Sequence, residues 1–203
     1  MSKAKRYLVG IDLGTTHTVV AYCDYQQSIP DITLFEIEQL IAPGQVAAKS
    51  LLPSVRYHAT QGELSVDDLT LSQQFLAIGD TEHPVIIGQA ARLLGSKTKG
   101  RLVTSAKSWL SHPAADASAP ILPWGGAETT AKVSPLEASA SYLAHIRSVW
   151  LHRFPMAALE QQDIVITVPA SFDEAARSLT LEAAKIAGLC NVRLLEEPQA
   201  VCY

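Results

Sequence analysis

The segment 7–22 constrains the fold more than any other part of the sequence. An apolar run meets Asp12, Gly14 and two threonines, and a second β-branched run follows at once. This order predicts a strand, a tight turn and a second strand. Glycine at position 14 is expected to permit backbone angles that a side chain would forbid. The segment therefore predicts a β-hairpin close to the start of the chain.

The turn of this hairpin has the composition of a phosphate-binding site. Without a Cβ at Gly14, a phosphate can approach the backbone N–H groups, and the hydroxyls of Thr15 and Thr16 add donors. Asp12 would repel a bare phosphate, so its predicted role is to hold the hydration shell of a bridging Mg²⁺. A strand follows the turn, whereas dinucleotide-binding and P-loop motifs lead into a helix. The composition of the turn therefore predicts binding of MgATP. The alternative is an ordinary hairpin with a surface carboxylate.

Composition excludes several classes of function. The 203 residues, 48% of them hydrophobic, suffice for one large domain or two small ones. A net charge of −4 gives no indication of a nucleic-acid partner. No apolar run approaches the length of a membrane span, and Asp12 interrupts the first one too early for a signal peptide. The three cysteines lack metal-binding spacing, which favours reduced thiols and a cytoplasmic protein.

The first two thirds of the chain predicts a series of short elements. A third strand is expected at Ile32–Ile37, a loop at 44–50 and an edge strand at 52–57, where Pro53 cannot donate to a ladder. Residues 111–133 are rich in Ala, Pro and Gly and predict an irregular excursion. Further short strands are expected at 75–78 and 85–87, and short helices at 88–94 and 105–110.

The last third predicts a crossover unit. Ser134 and Glu137 form a capping box that starts a long helix with an apolar stripe, ending near Phe154. An apolar run at 163–168 predicts a strand buried on both faces. A helix at 174–187 and a second buried strand at 192–195 follow. Strand, helix and strand in this order predict parallel pairing, and with the N-terminal hairpin they predict a mixed sheet with flanking helices.

Four segments of the chain resemble the nucleotide-binding domain of the Hsp70 (DnaK-like) chaperones, within the actin and sugar-kinase superfamily, and they occur in the same order as in that family. The first segment alone would also fit sugar kinases, whereas the other three are more specific to the chaperones. The segments are Val-Gly-Ile-Asp-Leu-Gly-Thr-Thr at 9–16, Ile-Gly-Gln-Ala-Ala-Arg at 87–92 with Ala-Lys-Ser-Trp-Leu at 106–110, Ile-Thr-Val-Pro-Ala-Ser-Phe at 166–172 with Arg177 and 184–189, and Leu-Leu-Glu-Glu-Pro-Gln-Ala at 194–200.

The resemblance implies an α/β fold, the ribonuclease H-like first lobe of an actin-like ATPase. It implies a core subdomain at about 1–37 and 134–203 and a smaller inserted α+β subdomain at about 38–133. The second lobe and the peptide-binding domain of the family are not in the sequence, which suggests truncation. We therefore expect the chain alone to be inactive and to self-associate through its exposed lobe face.

The resemblance also assigns roles to residues. Asp12, Gly14, Thr15 and Thr16 match the family's first phosphate turn, with His17 beside it where the family usually has asparagine. Glu197 matches an acidic residue that orders Mg²⁺ and the attacking water; the alternative is a carboxylate stabilised by a helix dipole. Pro169 and Arg177 match a pair that relays the nucleotide state to the peptide-binding domain.

Arg92 departs from the family, which has a lysine near the γ-phosphate at this position. Arginine keeps the charge but is planar, forked and longer. We expect ATP binding to be kept and hydrolysis to be slower than in a typical member.

The resemblance implies an ATP-dependent chaperone that couples slow MgATP hydrolysis to the binding and release of unfolded polypeptides. Its co-chaperones and clients would bind through the missing domains. The alternatives are a nucleotide-binding regulator with little turnover and, less favoured, a sugar kinase of the same superfamily.

Overall fold

The computed structural model describes residues 5–65, 67–69, 84–126 and 130–202. The strands of the described part are β1 (Tyr7–Leu13), β2 (His17–Asp24), β3 (Thr33–Leu34), β4 (Ile37–Ala42), β5 (Gln45–Lys49), β6 (Leu52–Pro53), β7 (Arg56–His58), β8 (Val85–Ile87), β9 (Leu102–Val103), β10 (Asp163–Val168) and β11 (Val192–Glu196). The helices are α1 (Gln89–Lys97), α2 (Ala106–Leu110), α3 (Pro135–Arg153), α4 (Glu174–Ile186) and α5 (Glu197–Cys202). None of the described helices is long and apolar enough to cross a membrane.

The central sheet is mixed, as the sequence predicts. Its order is β11–β10–β1–β2–β3, and β6 also pairs with β2. β10 runs parallel to both β1 and β11, whereas β2 runs antiparallel to β1. The carboxyl ends of β1, β10 and β11 therefore meet at one edge of the sheet.

One face of the sheet carries the main core. Alternate residues of β1 and β10 are buried there and pack on α3, which begins at the predicted capping box of Ser134 and Glu137. Trp150 is fully buried, and its indole N–H donates to the carbonyl of Ala157 at 2.8 Å. The prediction that α3 turns an apolar stripe towards the core is confirmed. The rings around Trp150 belong to Tyr7, Tyr22, Phe35 and Phe154.

A second, smaller core lies between α1 and a three-stranded sheet of order β8–β7–β9. Tyr57 and Ile86 from this sheet and Ala90 and Ala91 from α1 are almost fully buried in it. Hairpin β4–β5 adds Leu40.

The predictions for the region around residues 32–57 are partly wrong. The expected strand Ile32–Ile37 is interrupted: β3 ends at Leu34 in the central sheet, and Ile37 begins β4 in another sheet. The expected loop at 44–50 contains β5, whose residues are mostly exposed and whose pairing with β4 follows a turn at Gly44 (φ +67°). The expected single strand at 52–57 is two strands, β6 and β7, in different sheets. The strand expected at 75–78 lies outside the described residues.

The expectation that β10 and β11 are buried on both faces is also wrong. In β10, Ile164, Ile166 and Val168 are buried, while the alternate residues are half-buried. β11 has no fully buried residue, because it forms the edge of the central sheet.

Candidate functional site

The turn between β1 and β2 requires glycine at position 14 because of a close approach. A Cβ on Gly14 would lie 2.3 Å from the carbonyl oxygen of His17. The φ angle of Gly14 is not in the left-handed region, so the expected reason, a special backbone angle, is wrong. The tightness of the turn excludes a side chain there.

Ser54, which lies in the link between β6 and β7, supports this turn through hydrogen bonds. Its hydroxyl donates to the carbonyl of Gly14 at 2.7 Å, and its backbone N–H donates to the carbonyl of Thr16 at 2.9 Å. The hydroxyl of Thr18 lies 3.0 Å from the same Ser54 oxygen. Ser54 is almost fully buried, so these bonds are sheltered from water. No local sequence pattern pointed to Ser54, since its partners lie about forty residues away.

The outer side of the turn presents hydrogen-bond donors. Thr15 and Thr16 are exposed, and no described residue accepts a hydrogen bond from their backbone N–H groups. Their amides and hydroxyls are therefore available to an anion, as a phosphate-binding turn requires.

Asp12 is held at the sheet edge by a residue that the sequence analysis missed. The hydroxyl of Thr167 donates to Oδ1 of Asp12 at 2.9 Å. These two residues are in register between β1 and β10, so their side chains lie side by side on the open face. Oδ2 of Asp12 keeps its capacity to accept a hydrogen bond from water.

Glu197 stands at the same edge of the sheet as Asp12. Thr167 is in register with Leu195 on β11, and α5 begins with Glu197 directly after that strand. Two strand spacings separate β1 from β11, which is roughly 10 Å. In open α/β sheets, ligands bind outside the carboxyl ends of the strands.

Arg92 reaches the turn from α1. Its guanidinium nitrogen Nη2 lies 3.3 Å from Nε2 of His17. Desolvation, and next the charge of Arg92, lower the pKa of His17 from its ordinary value. A neutral imidazole can accept through Nε2, so the guanidinium donates and the histidine holds it beside the turn. Arg92 and His17 are thus in contact.

The start of α1 is fixed by a buried side chain. Gly88 precedes the helix with φ +85°, and a Cβ on it would lie 2.6 Å from Oε1 of Gln39. The same Gln39 oxygen accepts from the backbone N–H of Gln89 at 3.0 Å. This contact satisfies an otherwise free helical donor and sets the position from which Arg92 extends.

The two remaining candidates, Pro169 and Arg177, are connected through Phe172. The backbone N–H of Phe172 donates to the carbonyl of Pro169 at 3.0 Å, and its carbonyl accepts from Nε of Arg177 at 3.1 Å. Arg177 also donates to Oε1 of Glu196 at 2.6 Å. The pair therefore joins the end of β10 to the end of β11.

The structure places the predicted residues in three positions: the turn with Arg92, Glu197, and the pair Pro169 and Arg177 linked through Phe172. Asp12, Gly14, Thr15, Thr16 and His17 form one turn with Arg92 against it. Glu197 lies along the same sheet edge, where Lys107 of α2 donates to its Oε1 at 2.9 Å. Among the described residues, no group of three or more His, Cys, Asp or Glu side chains could hold a metal ion.

Comparison with known proteins identifies the family of this chain. The Hsp70 protein family matches residues 8–203. A chaperone protein HscA homolog of Methylobacillus flagellatus is 35% identical over 96% of this chain and 27% of its own length. HscA homologs of Delftia acidovorans and Actinobacillus pleuropneumoniae serotype 5b are 33% and 34% identical, over 97% and 96% of this chain and 28% of their own lengths.

The chain belongs to the Hsp70 family. Membership implies the actin-like ATPase fold, with which the mixed sheet and flanking helices agree. The chain spans little more than a quarter of the length of these chaperone relatives.

Proposed function

We propose that this chain is the first, nucleotide-binding lobe of an Hsp70-type chaperone ATPase, with ATP or ADP and Mg²⁺ as its ligands. The observation that carries the proposal is the convergence on one sheet edge. Asp12, the open donors of Thr15 and Thr16, and Glu197 all lie at or beside the carboxyl ends of three adjacent parallel strands. The family match over residues 8–203 supports it independently.

Each residue has a role that its environment allows. The amides and hydroxyls of Thr15 and Thr16 bind phosphate oxygens. Asp12, with one oxygen bonded to Thr167, accepts from water in the hydration shell of the metal. When bound, Mg²⁺ supplies neutralisation of the phosphate charge. Glu197 accepts a hydrogen bond from the attacking water and orients it.

Arg92 is placed to neutralise charge on the terminal phosphate, as arginine does in other phosphoryl-transfer sites. Its contact with His17 restrains it at the turn. Because the guanidinium is longer and planar, we expect slower hydrolysis than with the family's lysine and little change in ATP affinity. The same contact favours the second candidate function, a regulator that binds ATP with little turnover.

We also propose that the chain is divided into two subdomains. A core subdomain at about 1–37 and 134–203 with an inserted subdomain at about 38–133 is supported by the separate small core around Tyr57 and α1. Unfolded polypeptides and co-chaperones would be bound outside these residues, and the protein would act in the cytoplasm. The proposed self-association would use the apolar open face, which includes Leu8, Val165 and Leu195.

The test is single-turnover ATP hydrolysis by the full-length gene product, with and without an unfolded peptide. Hydrolysis that the peptide accelerates is expected, and Arg92→Lys should raise the rate without changing ATP affinity. Tight ATP binding without turnover in both the wild type and Arg92→Lys would favour a nucleotide-binding regulator over an ATPase. Absence of ATP binding would overturn both.

A further inference from the structure

Trp124 lies on the protein surface with its ring stacked on a second tryptophan. It is 71% exposed, although tryptophan is highly buried on average in folded proteins. The ring centroids of Trp124 and Trp109 are 5.0 Å apart, and the two planes are inclined by 30°. The ring of His112 lies 5.1 Å from that of Trp109. We call these three rings the aromatic patch.

A tight turn fixes the position of Trp124. The backbone N–H of Gly126 donates to the carbonyl of Pro123 at 3.2 Å, which closes a turn with Trp124 as its second residue. Gly125 has φ +70°, as the third residue of a type II turn requires. The carbonyl of Pro123 also accepts from Nζ of Lys132 at 3.0 Å. The tryptophan is therefore presented in one place, and a partner that binds it need not order the turn.

The stack also has a firm base. Trp109 belongs to α2 and packs against the main core. One side of Trp124 therefore rests on a ring of the folded body, while the rest of its surface meets solvent. An exposed tryptophan held in this way is typical of the few residues that carry most of the binding energy in protein interfaces.

The chain around the aromatic patch is basic. Residues 97–133 contain five lysines and arginines but only two carboxylates, whereas the whole chain has a net charge of −4. The basic stretch that starts this segment touches the turn, since a Cβ on Gly126 would lie 2.7 Å from the carbonyl oxygen of Gly100. Lys97 and Lys99 precede Gly100 and are both exposed. Their charge favours a partner that is acidic.

We propose that the aromatic patch is a docking site for an acidic segment of a partner protein. An aromatic side chain of that segment stacks on Trp124, and carboxylates beside it meet Lys97 and Lys99. A single-stranded nucleic acid also combines negative charge with planar rings, but it binds along a series of exposed rings in a basic groove. The patch offers one exposed tryptophan, which suits a single side chain.

The experiment measures binding of a fluorescein-labelled oligoglutamate peptide with a central phenylalanine to the full-length gene product, by fluorescence anisotropy. We expect saturable binding that weakens as salt is added, because exposed charges are screened. Trp124→Ala should weaken binding about tenfold, as the loss of an interface tryptophan does, and Trp124→Phe should retain most of the affinity. Lys99→Glu should also weaken it, since the charge is reversed.

Tyr25→Ala is the matched control, because Tyr25 is another exposed ring and follows β2 in the central sheet. Its peptide affinity should equal that of the wild type. Binding elsewhere in the protein, including any peptide-binding domain, would not respond to Trp124→Ala. If Trp124→Ala folds poorly, Lys99→Glu decides, since it changes only an exposed side chain.

Four results would overturn the proposal: no binding of the peptide, equal affinities for the wild type and Trp124→Ala, equal affinities for peptides with phenylalanine and with alanine at the centre, or tighter binding of a single-stranded oligothymidine. The last result would assign the patch to nucleic acid. Docking is separable from ATP hydrolysis, because none of the three rings belongs to the candidate nucleotide site. Trp124→Ala should therefore hydrolyse ATP at the wild-type rate, and a wild type that binds the peptide but not ATP would refute only the proposed function.

Discussion

His145 should make the chain sensitive to mild acid. It is buried on α3, where its Nε2 lies 2.8 Å from the carbonyl oxygen of Glu38 at the start of β4. Burial lowers the pKa of His145 from its ordinary 6.5 to about 4, and the hydrogen bond to Glu38 only partly opposes this. The folded protein therefore keeps this ring neutral at pH values where an unfolded chain would protonate it.

The sign and size of the effect follow from proton linkage. Above pH 6.5 the ring is neutral in both states, and the full stability is present. As the pH falls from 6.5 towards 4, only the unfolded state takes up the proton, so the folded state loses stability progressively. At about 1.4 kcal/mol per pH unit, the loss across this window is about 3 kcal/mol. That is a large part of the stability of a typical domain.

The assay is urea unfolding of the chain at several pH values between neutrality and about 4.5, compared with His145→Gln. Glutamine can donate to Glu38 but has no proton to gain, so the variant should lose much less stability on acidification, whatever its stability at neutral pH. His152→Gln, an exposed change on the same helix, should follow the wild type. Parallel pH profiles for the wild type and His145→Gln would refute the reasoning.

Two further predictions concern the turn between β1 and β2. Gly14→Ala should weaken ATP binding, measured by titration calorimetry, about tenfold, because a Cβ 2.3 Å from the carbonyl oxygen of His17 must displace the turn. Gly10→Ala is the control, since its Cβ would lie 4.0 Å from its nearest neighbour. Equal ATP affinities for the two variants would contradict the steric argument. Hydrolysis by the full-length gene product should fall as the pH drops below the ordinary pKa of histidine, 6.5, because protonated His17 would repel Arg92. His17→Asn should remove that fall, and a dependence that persists in the variant would exclude His17 as its cause.

The C-terminal crossover was predictable because its signals are local. The capping box of Ser134 and Glu137 starts α3 where the structure has it. At the start of α4 the Asp173 side chain accepts from the backbone N–H of Ala176, and aspartate is a common residue at this helix position. The region around β3 to β7 was not predictable to the same extent. Its strands are short, β5 is mostly exposed, and their sheet membership depends on partners elsewhere in the chain.

The residues of the candidate site also divide into those that a local sequence pattern predicts and those that it does not. Asp12, Gly14, Thr15 and Thr16 are adjacent in sequence, so their composition alone indicated a phosphate turn. Thr167 and Ser54 carried no such signal, because their partners lie 155 and 40 residues away.

The sequence by itself determined that the chain has a tight turn after β1, a mixed sheet and membership in the Hsp70 family, since these follow from contiguous residues and their order. The tertiary structure alone decided which side chains hold those residues in place. It set Arg92 against His17, Thr167 against Asp12 and Lys107 against Glu197. Such contacts arise only when folding brings distant segments to one sheet edge, and short-range periodicity contains no information about them.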